Sequence, residues 1–539
     1  MCKKIDLARA TASGLQTLLN SGEITSVDLV KQSLEQIELH NTRGLNLRAL
    51  ISVAPEKLAL ARAAELDVER AASKLRDSLH GIPILVKDVV QTHSQLGMPT
   101  TVGSLALASA QVHSNATVVD KLHDSGLIIL GKTNLNANSI PQEELSSWKG
   151  MGPMNGWSAA SGQTNSAYVP GGLIKGDGVM GHSNPYGAST GSAVGVSAGF
   201  SPIAIGTEVD GSLTQPAARA SLYALKPTVG STELGGIFAV SAEFDCVGAM
   251  AKSSHDLAML SELSLKPRAR EKLPEDGYLS FSKSTFEGLN IGFVDPEIWR
   301  WPETFQPQHG NSLEELESLL ASGYTEARDL VTRYQAKAVY PVSLPPVADF
   351  VLDGQPCTIM AIRHVFKRNV DSYLESLTTS EVRTLEDIIQ YNKDHSDQEL
   401  PRGIVYLHAS GHSRSWLTIA TTAFPEQGRL IGTLENPIDQ DMYEQAVKQC
   451  RTVAQDRGVD KVMKENNLDL IAFPMDSPCP RVAAAAGYPI ATVPLGTLRY
   501  NGRPFGLAIV AQAGREDLLF TFMSAWEACA KPRAVPSSL

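Results

Sequence analysis

The sequence predicts an α/β fold around a largely buried sheet, and three observations lead to this prediction. Short apolar runs of strand length recur along the 539 residues, and stretches with the apolar spacing of helices lie between them. Hydrophobic residues make up 43% of the chain and charged residues 19%, which is enough apolar material for a large core. Short apolar strands that alternate with helices are typical of α/β proteins whose sheet is covered on both faces.

The first elements are predicted to be helices within residues 12–75. Thr25, followed by Asp28 three residues later, resembles a capping box at the start of one of them. Another helix is expected in "ATVVDKLHDSG" at 116–126. Five apolar runs are expected to be strands: "HGIPILVKDVV" at 80–90, "GLIILGKTNL" at 126–135, "SPIAIGTEVDGS" at 201–212, "LDLIAFP" at 468–474 and "FGLAIVAQ" at 505–512.

Residues 265–425 are more highly charged and carry most of the aromatic residues. We interpret this region as a helical cap or insertion within one domain that spans residues 1–539. Its aromatic side chains, such as Phe350, Tyr406 and Trp416, are candidates to line an acyl or amine pocket. Plain core packing explains each of them equally well.

The overall charge and the cysteines exclude several classes of protein. A net charge of −11 argues against nucleic-acid binding, which needs clustered cations. The amino terminus lacks the apolar core of a signal peptide, and the chain ends in Ser-Ser-Leu, a weak echo of a peroxisomal signal. We therefore expect a cytoplasmic protein with reduced thiols and no membrane partner. No two of the six cysteines form a C-x-x-C pair: Cys2, Cys246, Cys357, Cys450, Cys479 and Cys529.

Two motifs that suggest a cofactor or a metal are weak. Gly176, Gly178 and Gly181 satisfy G-x-G-x-x-G, but no strand precedes them and no acid follows at the distance that a dinucleotide site needs. His408 and His412 have the spacing of a metal pair on a helix, but no third ligand is evident. We therefore expect neither a cofactor nor a metal.

A third motif suggests a hydrolase nucleophile. Gly187 to Gly191 satisfy G-x-S-x-G, with Ser189 in the place of the nucleophile. A nucleophile elbow requires a strand that ends at the serine, whereas "GHSNPYG" before it is typical of a loop. This stretch belongs to a long uncharged segment, 178–207, whose glycines favour close backbone packing around a site.

A lysine and a second serine offer an alternative catalytic pair. Lys87 ends one predicted strand and Ser212 follows another. Burial lowers the pKa of a lysine, and a neutral lysine can act as a general base that activates a serine. The N–H groups of the turn 209–212 can converge on an oxyanion. A surface lysine and a turn serine would explain one such pair equally well.

Several segments along the chain, taken in order, match those of a known family. This resemblance decides between Ser189 and Ser212 as the nucleophile. The chain closely resembles the amidase signature family. Its sequence around Ser212 is most similar to that of the fungal branch of the family. The resemblance implies one α/β domain with a mixed central sheet flanked by helices, and a Ser–Ser–Lys triad in place of Ser–His–Asp. The matching segments are "LHGIPILVKD" (79–88), "LGKTNLN" (130–136), "GWSAASGQT" (156–164), "NPYGASTGSAVGVSAG" (184–199), "AIGTEVDGSLTQPA" (204–217), "LKPTVG" (225–230), "FDCVGAMAKS" (244–253) and "AGYPIATVPLG" (486–496).

The resemblance assigns a role to each site residue. Ser212 would be the nucleophile and Lys87 the base, and Ser189 would support the site by hydrogen bonding. The oxyanion hole would consist of Val209, Asp210, Gly211 and Ser212.

The middle serine of the triad, which the family holds in a cis peptide, aligns with Ala188. An alanine there removes the proton relay between base and nucleophile. Two explanations for this alanine remain: an engineered Ser→Ala change, or a natural variant with altered or lost chemistry. The retention of Lys87 and Ser212 favours the first.

Two further departures bear on the substrate. Thr214 stands where glutamine-using members carry an arginine, which argues against free glutamine and against transamidation on transfer RNA. Asp210 brings a carboxylate to the oxyanion turn and should disfavour anionic substrates. The leading hypothesis is hydrolysis of a small-molecule amide through an acyl-enzyme on Ser212. Acyl transfer to an amine, and a catalytically dead binding protein, are the alternatives; a homodimer stays open.

Overall fold

The protein is described here from a computed structural model that covers residues 3–135, 155–174, 181–301, 312–400 and 427–539. Within these ranges no helix combines the length and the apolar character needed to cross a lipid bilayer. Four candidate residues lie outside these ranges: Tyr406, His408, His412 and Trp416. The predicted glycine motif at 176–181 also lies outside them, except for Gly181.

An eleven-stranded mixed sheet forms the centre of the described fold. Its strands, in spatial order, are β1 (Leu50–Val53), β4 (Ile128–Thr133), β2 (Pro83–Lys87), β7 (Ile203–Glu208), β9 (Cys246–Ala251), β8 (Tyr223–Lys226), β16 (Ile490–Thr497), β17 (Pro504–Val510), β15 (Leu470–Pro474), β10 (Asn290–Val294) and β11 (Lys337–Val342). Three two-stranded ribbons consist of β3 (Gln111–Val112) with β14 (Leu377–Thr379), β5 (Trp157–Ser158) with β6 (Gly162–Gln163), and β12 (Val351–Leu352) with β13 (Gln355–Pro356).

The described helices lie around this sheet and share one main apolar core with it. Those that precede the central strands β7 to β9, or lie among them, are α1 (Ala12–Asn20), α2 (Ser26–His40), α3 (Glu56–Ala71), α4 (Thr117–Asp124), α5 (Thr190–Ser197) and α6 (Thr214–Arg219). The later ones are α7 (Ser254–Leu263), α8 (Pro267–Arg270), α9 (Ser312–Arg333), α10 (Cys357–Glu375), α11 (Leu385–Asp394), α12 (Ser396–Glu399), α13 (Gly428–Glu435), α14 (Gln440–Arg451), α15 (Asp460–Asn466), α16 (Cys479–Ala486) and α17 (Glu516–Cys529).

The predicted α/β class and mixed sheet are confirmed, and each of the five predicted strand segments contains a strand of the main sheet. The capping box at the start of α2 is present, because Thr25 Oγ1 accepts from the Asp28 N–H and the Asp28 carboxylate accepts from the Thr25 N–H. β1 was not expected in the helical stretch 12–75. It is only four residues long and lies at the edge of the sheet, so it lacks a long apolar run.

The region 265–425 is not purely helical in its described part. It contributes β10 and β11, which pair in parallel and extend the main sheet beyond β15. β11 is an edge strand in which only Val342 is buried, and Pro341 interrupts its short apolar run, so its sequence signal is weaker than that of the central strands.

The catalytic candidates meet because of the sheet topology. β4, β2 and β7 are neighbours and run parallel, so their carboxyl ends reach one edge of the sheet. β9 runs antiparallel to β7 and pairs Cys246 with Glu208, which brings the amino end of β9 to the same edge. The ends of four strands therefore surround one place, where the functional candidates lie.

Candidate active site

Lys87 is the last residue of β2 and is buried, with 3% of its surface exposed. Its Nζ donates to Thr207 Oγ1 at 2.9 Å and lies 3.5 Å from the Thr207 carbonyl oxygen. Burial lowers the pKa of Lys87 to about 8, against the opposing charges of Asp245 and Glu208. A substantial fraction of this lysine is therefore neutral in mildly alkaline solution and can accept a proton.

The two carboxylates near Lys87 are held by backbone N–H groups. The Asp245 carboxylate accepts from the N–H groups of Val240 (2.6 Å) and Ser241 (2.8 Å). Burial raises the pKa of Asp245, while these hydrogen bonds and the charge of Lys87 lower it. These fixed acceptors limit how far the pKa of Lys87 falls.

Glu208 shapes the turn that carries Ser212. Its carboxylate accepts from the N–H groups of Leu213 (2.8 Å) and Thr214 (2.7 Å), which starts α6 directly after the turn. Gly211 has a φ of +118°, a conformation that favours glycine. In the described structure the N–H groups of Gly211 and Ser212 donate to no protein acceptor. They are therefore available to bind an oxyanion, and the assignment of the turn 209–212 as the oxyanion hole stays a prediction.

Ser189 lies beside both catalytic candidates but is engaged in structural hydrogen bonds. Its Oγ donates to the Thr207 carbonyl oxygen (3.1 Å) and accepts from the Thr207 N–H (3.3 Å). Its own N–H donates to the Ser212 carbonyl oxygen at 2.7 Å. Ser189 is fully buried, and a loop instead of a strand precedes it. These observations agree with a supporting role and argue against a nucleophile elbow.

Ala188 is the partly exposed residue in an otherwise buried stretch from 181 to 200. Its neighbour Gly187 approaches the nucleophile turn, since a Cβ placed on Gly187 would lie 3.2 Å from the Gly211 carbonyl oxygen. The cis peptide that the resemblance implies is not present here. The one cis bond among the described residues joins Tyr340 to Pro341. A cis bond before a residue other than proline costs about 3 kcal/mol, and the alanine methyl group makes no hydrogen bond that would offset it.

A second lysine lies in the core beside the first. Lys132 in β4 donates to the Val90 carbonyl oxygen and to Thr100 Oγ1, both at 2.6 Å, and forms an ion pair with Asp88 at 3.4 Å. Burial lowers the pKa of Lys132 to about 8, while Asp88 opposes this shift. Because Asp88 directly follows Lys87, this pair fixes the backbone at the end of β2.

Tyr186, which precedes Gly187, belongs to an aromatic and charged cluster. The rings of Tyr186 and Trp301 have centroids 6.4 Å apart, and the Arg481 guanidinium lies 5.5 Å from the Trp301 centroid. Arg219 lies 5.0 Å from the Tyr186 centroid and forms a 3.0 Å ion pair with Asp476. This cluster is separate from the main apolar core.

Sequence reasoning missed the residues that connect the catalytic candidates. Thr207 bridges Lys87 and Ser189. The carboxylates of Glu208 and Asp245 raise the pKa of Lys87, and Glu208 also holds the turn that carries Ser212. All three lie within segments on which the resemblance rests, but a threonine or an acid at the end of a strand gives no signal of its own. Phe350 was proposed to line a pocket; it is 6% exposed and packs in the main core.

Comparisons with known proteins find related sequences over most of the chain. The Amidase family model matches residues 28–147 and 179–400. An amidase-family protein of Schizosaccharomyces pombe is 30% identical over 567 residues, covering 99% of this chain and 88% of the relative.

Two solved structures have a fold similar to that of this chain. The native peptide amidase from Stenotrophomonas maltophilia has a TM-score of 0.78 and 28% identity, over 98% of this chain and 99% of that one. An amidase family protein from Bacillus anthracis has a TM-score of 0.77 and 25% identity, over 99% and 93% of the two chains. The family match, the full-length relative and the shared fold agree, and the chain belongs to the amidase family.

Proposed function

We propose that this protein is an amide hydrolase that acts through an acyl-enzyme on Ser212. The observation that carries the proposal is the buried Lys87, with a pKa lowered to about 8, which is linked through Thr207 and Ser189 to the backbone of Ser212. Two N–H groups of that turn are without acceptors in the described structure, as an oxyanion hole requires. We infer the type of reaction, hydrolysis of an amide bond, from the membership of this chain in the amidase family.

The reaction would need a serine at position 188. Ser212 Oγ attacks the amide carbonyl carbon, and its proton passes through the hydroxyl at 188 to neutral Lys87. The N–H groups of Gly211 and Ser212 bind the oxyanion of the tetrahedral intermediate. The C–N bond then breaks, the leaving amine takes the proton, and an ester on Ser212 remains. Water attacks this ester, the acid leaves, and Ser212 regains its proton.

The alanine at 188 would hold the present chain in an inactive state. A methyl group carries no proton, so Lys87 and Ser212 are left without a relay. A water molecule is a poorer relay than a positioned hydroxyl group, so we expect at most slow residual turnover from the present chain.

The Ala188→Ser protein tests the proposal. We expect a fluorophosphonate probe to label Ser212, and mass spectrometry to detect acid and amine products from a panel of amides. The same protein with Ser212→Ala is the matched control and should neither label nor turn over. Labelling at Ser189, or the absence of labelling and turnover after the reversion, would contradict the proposal.

A binding protein without catalysis is the second candidate, and Ala188 is the observation that favours it. The two candidates differ in one result, because the binder should stay unlabelled after the reversion. Acyl transfer to an amine uses the same site, and added amine acceptors in the product assay would reveal it. A cytoplasmic location and a small-molecule amide or acyl substrate stay predictions.

A further inference from the structure

Arg451, the last residue of α14, contacts two segments that flank the candidate active site. One segment is the end of α16, and the other is the loop 240–245, which carries Asp245. The Arg451 side chain is mostly buried, with 24% of its surface exposed. Its guanidinium therefore joins two parts of the site that are far apart in the sequence.

The end of α16 is held by this guanidinium. Nη1 of Arg451 donates to the carbonyl oxygens of Ala484 (3.0 Å) and Ala485 (2.5 Å). Carbonyl groups in the last turn of a helix lack the N–H partners that the helix interior supplies, and the helix dipole favours a cation beside them. The guanidinium also lies against Gly487, where a Cβ would come within 3.2 Å of the Arg451 Cζ. The guanidinium is thus closely fitted to this helix end.

The start of α16 packs against the nucleophile turn. A Cβ placed on Gly211 would lie 3.3 Å from the Cβ of Pro480, the second residue of α16. Just before the helix, the Ser477 carbonyl oxygen accepts from Gln215 Nε2 at 3.1 Å. α16 has only eight residues and is mostly buried. Because packed interiors transmit strain, a displacement at its end reaches the turn that carries Ser212.

The second segment holds the carboxylate that faces Lys87. Nη2 of Arg451 donates to the Glu243 carbonyl oxygen at 3.0 Å, and its Cζ lies 5.6 Å from the centroid of the Phe244 ring. Asp245 follows directly, and its charge is the larger of the two that oppose the lowering of the Lys87 pKa. The guanidinium therefore fixes the backbone that carries this carboxylate.

Arg451 acts on Lys87 through this backbone. The charges that raise the pKa of Lys87 against the effect of burial belong to Asp245 and Glu208. The Arg451 guanidinium has a carboxylate neighbour of its own, 3.7 Å away on a half-exposed side chain. The titratable groups that face the guanidinium come from α14, from the loop before β9 and from the chain after α16: Glu243, Tyr443, Cys450 and Tyr488.

We infer that Arg451 is a positioning residue, which keeps Lys87 and the nucleophile turn in a fixed relative position by joining the loop 240–245 to α16. The inference rests on the proposed function, because a reaction at Ser212 is what requires this alignment. Without the guanidinium the freed carbonyl groups can bind water, but the two segments can move apart. A misplacement of about 1 Å at a catalytic site can lower the rate on the order of 100-fold.

The test compares Arg451→Met with Arg451→Lys in the Ala188→Ser protein. Methionine keeps part of the apolar packing, whereas lysine keeps the charge but lacks the planar fork that reaches both segments. We expect both variants to lower kcat about tenfold or more and to change KM less than about threefold. The rise of kcat/KM with pH should also move to lower pH by about half a pH unit or more, because a displaced Asp245 opposes the lowering of the Lys87 pKa less.

Arg62→Met is the matched control. Arg62 is also mostly buried, and its Nη2 donates to the His123 carbonyl oxygen in the last turn of α4 at 2.7 Å. α4 leads into the amino end of β4, whereas the site lies at the carboxyl end of that strand. Arg62→Met should lower the free energy of unfolding, as Arg451→Met should, but leave kcat and the pH profile unchanged. Arg451 variants that behave like this control would overturn the inference.

The titration of Lys87 in the chain with Ala188 separates this inference from the proposed function. NMR of isotope-labelled lysine side chains follows the titration, and Lys87→Met identifies the signal. If the Ala188→Ser protein turns over and the Arg451 variants change neither kcat nor the pH profile, the positioning role is wrong and the hydrolase stands. If the reverted protein has no turnover, the hydrolase is wrong. A pKa of Lys87 that falls in Arg451→Met but not in Arg62→Met then supports the link from Arg451 to Lys87, and an unchanged pKa overturns it.

Discussion

Ser212 and Ser189 lie within one hydrogen-bonded group, but their environments predict different consequences of substitution. In the Ala188→Ser protein we expect Ser212→Ala to lower kcat by about 10³-fold or more, because triad residues act as a unit. Ser189→Ala should lower kcat far less and cost about 1–2 kcal/mol of stability, since its Oγ makes two hydrogen bonds with Thr207. Steady-state kinetics and denaturant unfolding measure the two effects.

The reverse result would restore the nucleophile elbow. If Ser189→Ala alone abolished probe labelling while Ser212→Ala left it intact, the assignment of the nucleophile would have to move to Ser189. A thermal melt of each variant shows whether the fold is retained in the comparison.

The lowered pKa of Lys87 leads to a prediction for how activity and stability depend on pH. Its pKa is lowered, so the neutral base becomes more abundant as the pH rises through about 8, and kcat/KM of the Ala188→Ser protein should rise over the same range. In the unfolded chain the lysine keeps its proton to a higher pH, so the stability of the fold should also increase as the pH rises above about 8. A pH–rate profile and unfolding curves at several pH values measure both.

Asp245→Asn is the matched variant for this prediction. The carboxylate raises the pKa of Lys87, so its removal should move the rise in rate to lower pH. A profile that Lys87→Ala leaves unchanged in shape would assign the base to another group.

At the scale of elements, α5 approaches the sheet so closely that only glycine fits. A Cβ on Gly191 would lie 2.5 Å from the Asn134 backbone nitrogen and 2.6 Å from its carbonyl oxygen. Both are backbone atoms, which cannot move aside as a flexible side chain can. We expect Gly191→Ala to destabilise the fold by about 1–3 kcal/mol or more, measured by denaturant unfolding.

Gly432→Ala is the control for Gly191→Ala. Gly432 lies in α13 and has open space where a Cβ would be placed. The same substitution there should stabilise by a few tenths of a kcal/mol to about 1 kcal/mol, because alanine is the better helix former. Equal effects at the two positions would contradict the close approach of α5.

The elements that the sequence predicts well are those with a strong local pattern. β2, β4 and β7 each contain an apolar run that predicts a strand, whereas the catalytic roles of Lys87 and Ser212 came from the family resemblance and stay predictions. In β11 the apolar residues are interrupted by Pro341 and are mostly not buried, because an edge strand needs fewer buried side chains, so its pattern predicts a strand less clearly. Thr207 and Asp245 act through contacts with distant segments, and no local spacing encodes such contacts.

Over the whole molecule, one buried ion-pair group connects segments that are far apart in sequence. Asp476 accepts from Arg219 at 3.0 Å and from Arg503 at 3.2 Å, and all three side chains are nearly inaccessible to solvent. Burial alone would raise the pKa of Asp476, but the two guanidinium groups lower it to about 2. This group links α6 with the chain between β15 and β17.

Asp476→Asn should destabilise the protein by about 3–5 kcal/mol, because it removes the carboxylate that the buried guanidinium groups of Arg219 and Arg503 share. The depressed pKa also means that the contribution of Asp476 is present above about pH 4 and is lost as the pH falls towards 2. The stability difference between the two proteins should therefore narrow in acid. Denaturant unfolding at pH 7 and in acid measures it.

The exposed pair of Arg515 and Asp517 provides the comparison. Its atoms lie 2.9 Å apart at the surface, where ion pairs contribute little, so Asp517→Asn should change stability by less than about 1 kcal/mol. A loss for Asp476→Asn no larger than this would show that the buried group does not connect the segments as described.

The position of β10 and β11 decides how this chain could be recombined with its relatives. An exchange of the whole region 265–425 would replace β10 and β11 with foreign strands that have to pair with β15, and a poor fit would expose the edge of β15 as a template for aggregation. A graft that begins after β11, at residue 343 or later, keeps the sheet whole. Chimeras with the later junction should be recovered as monodisperse protein, and those with the earlier one should precipitate.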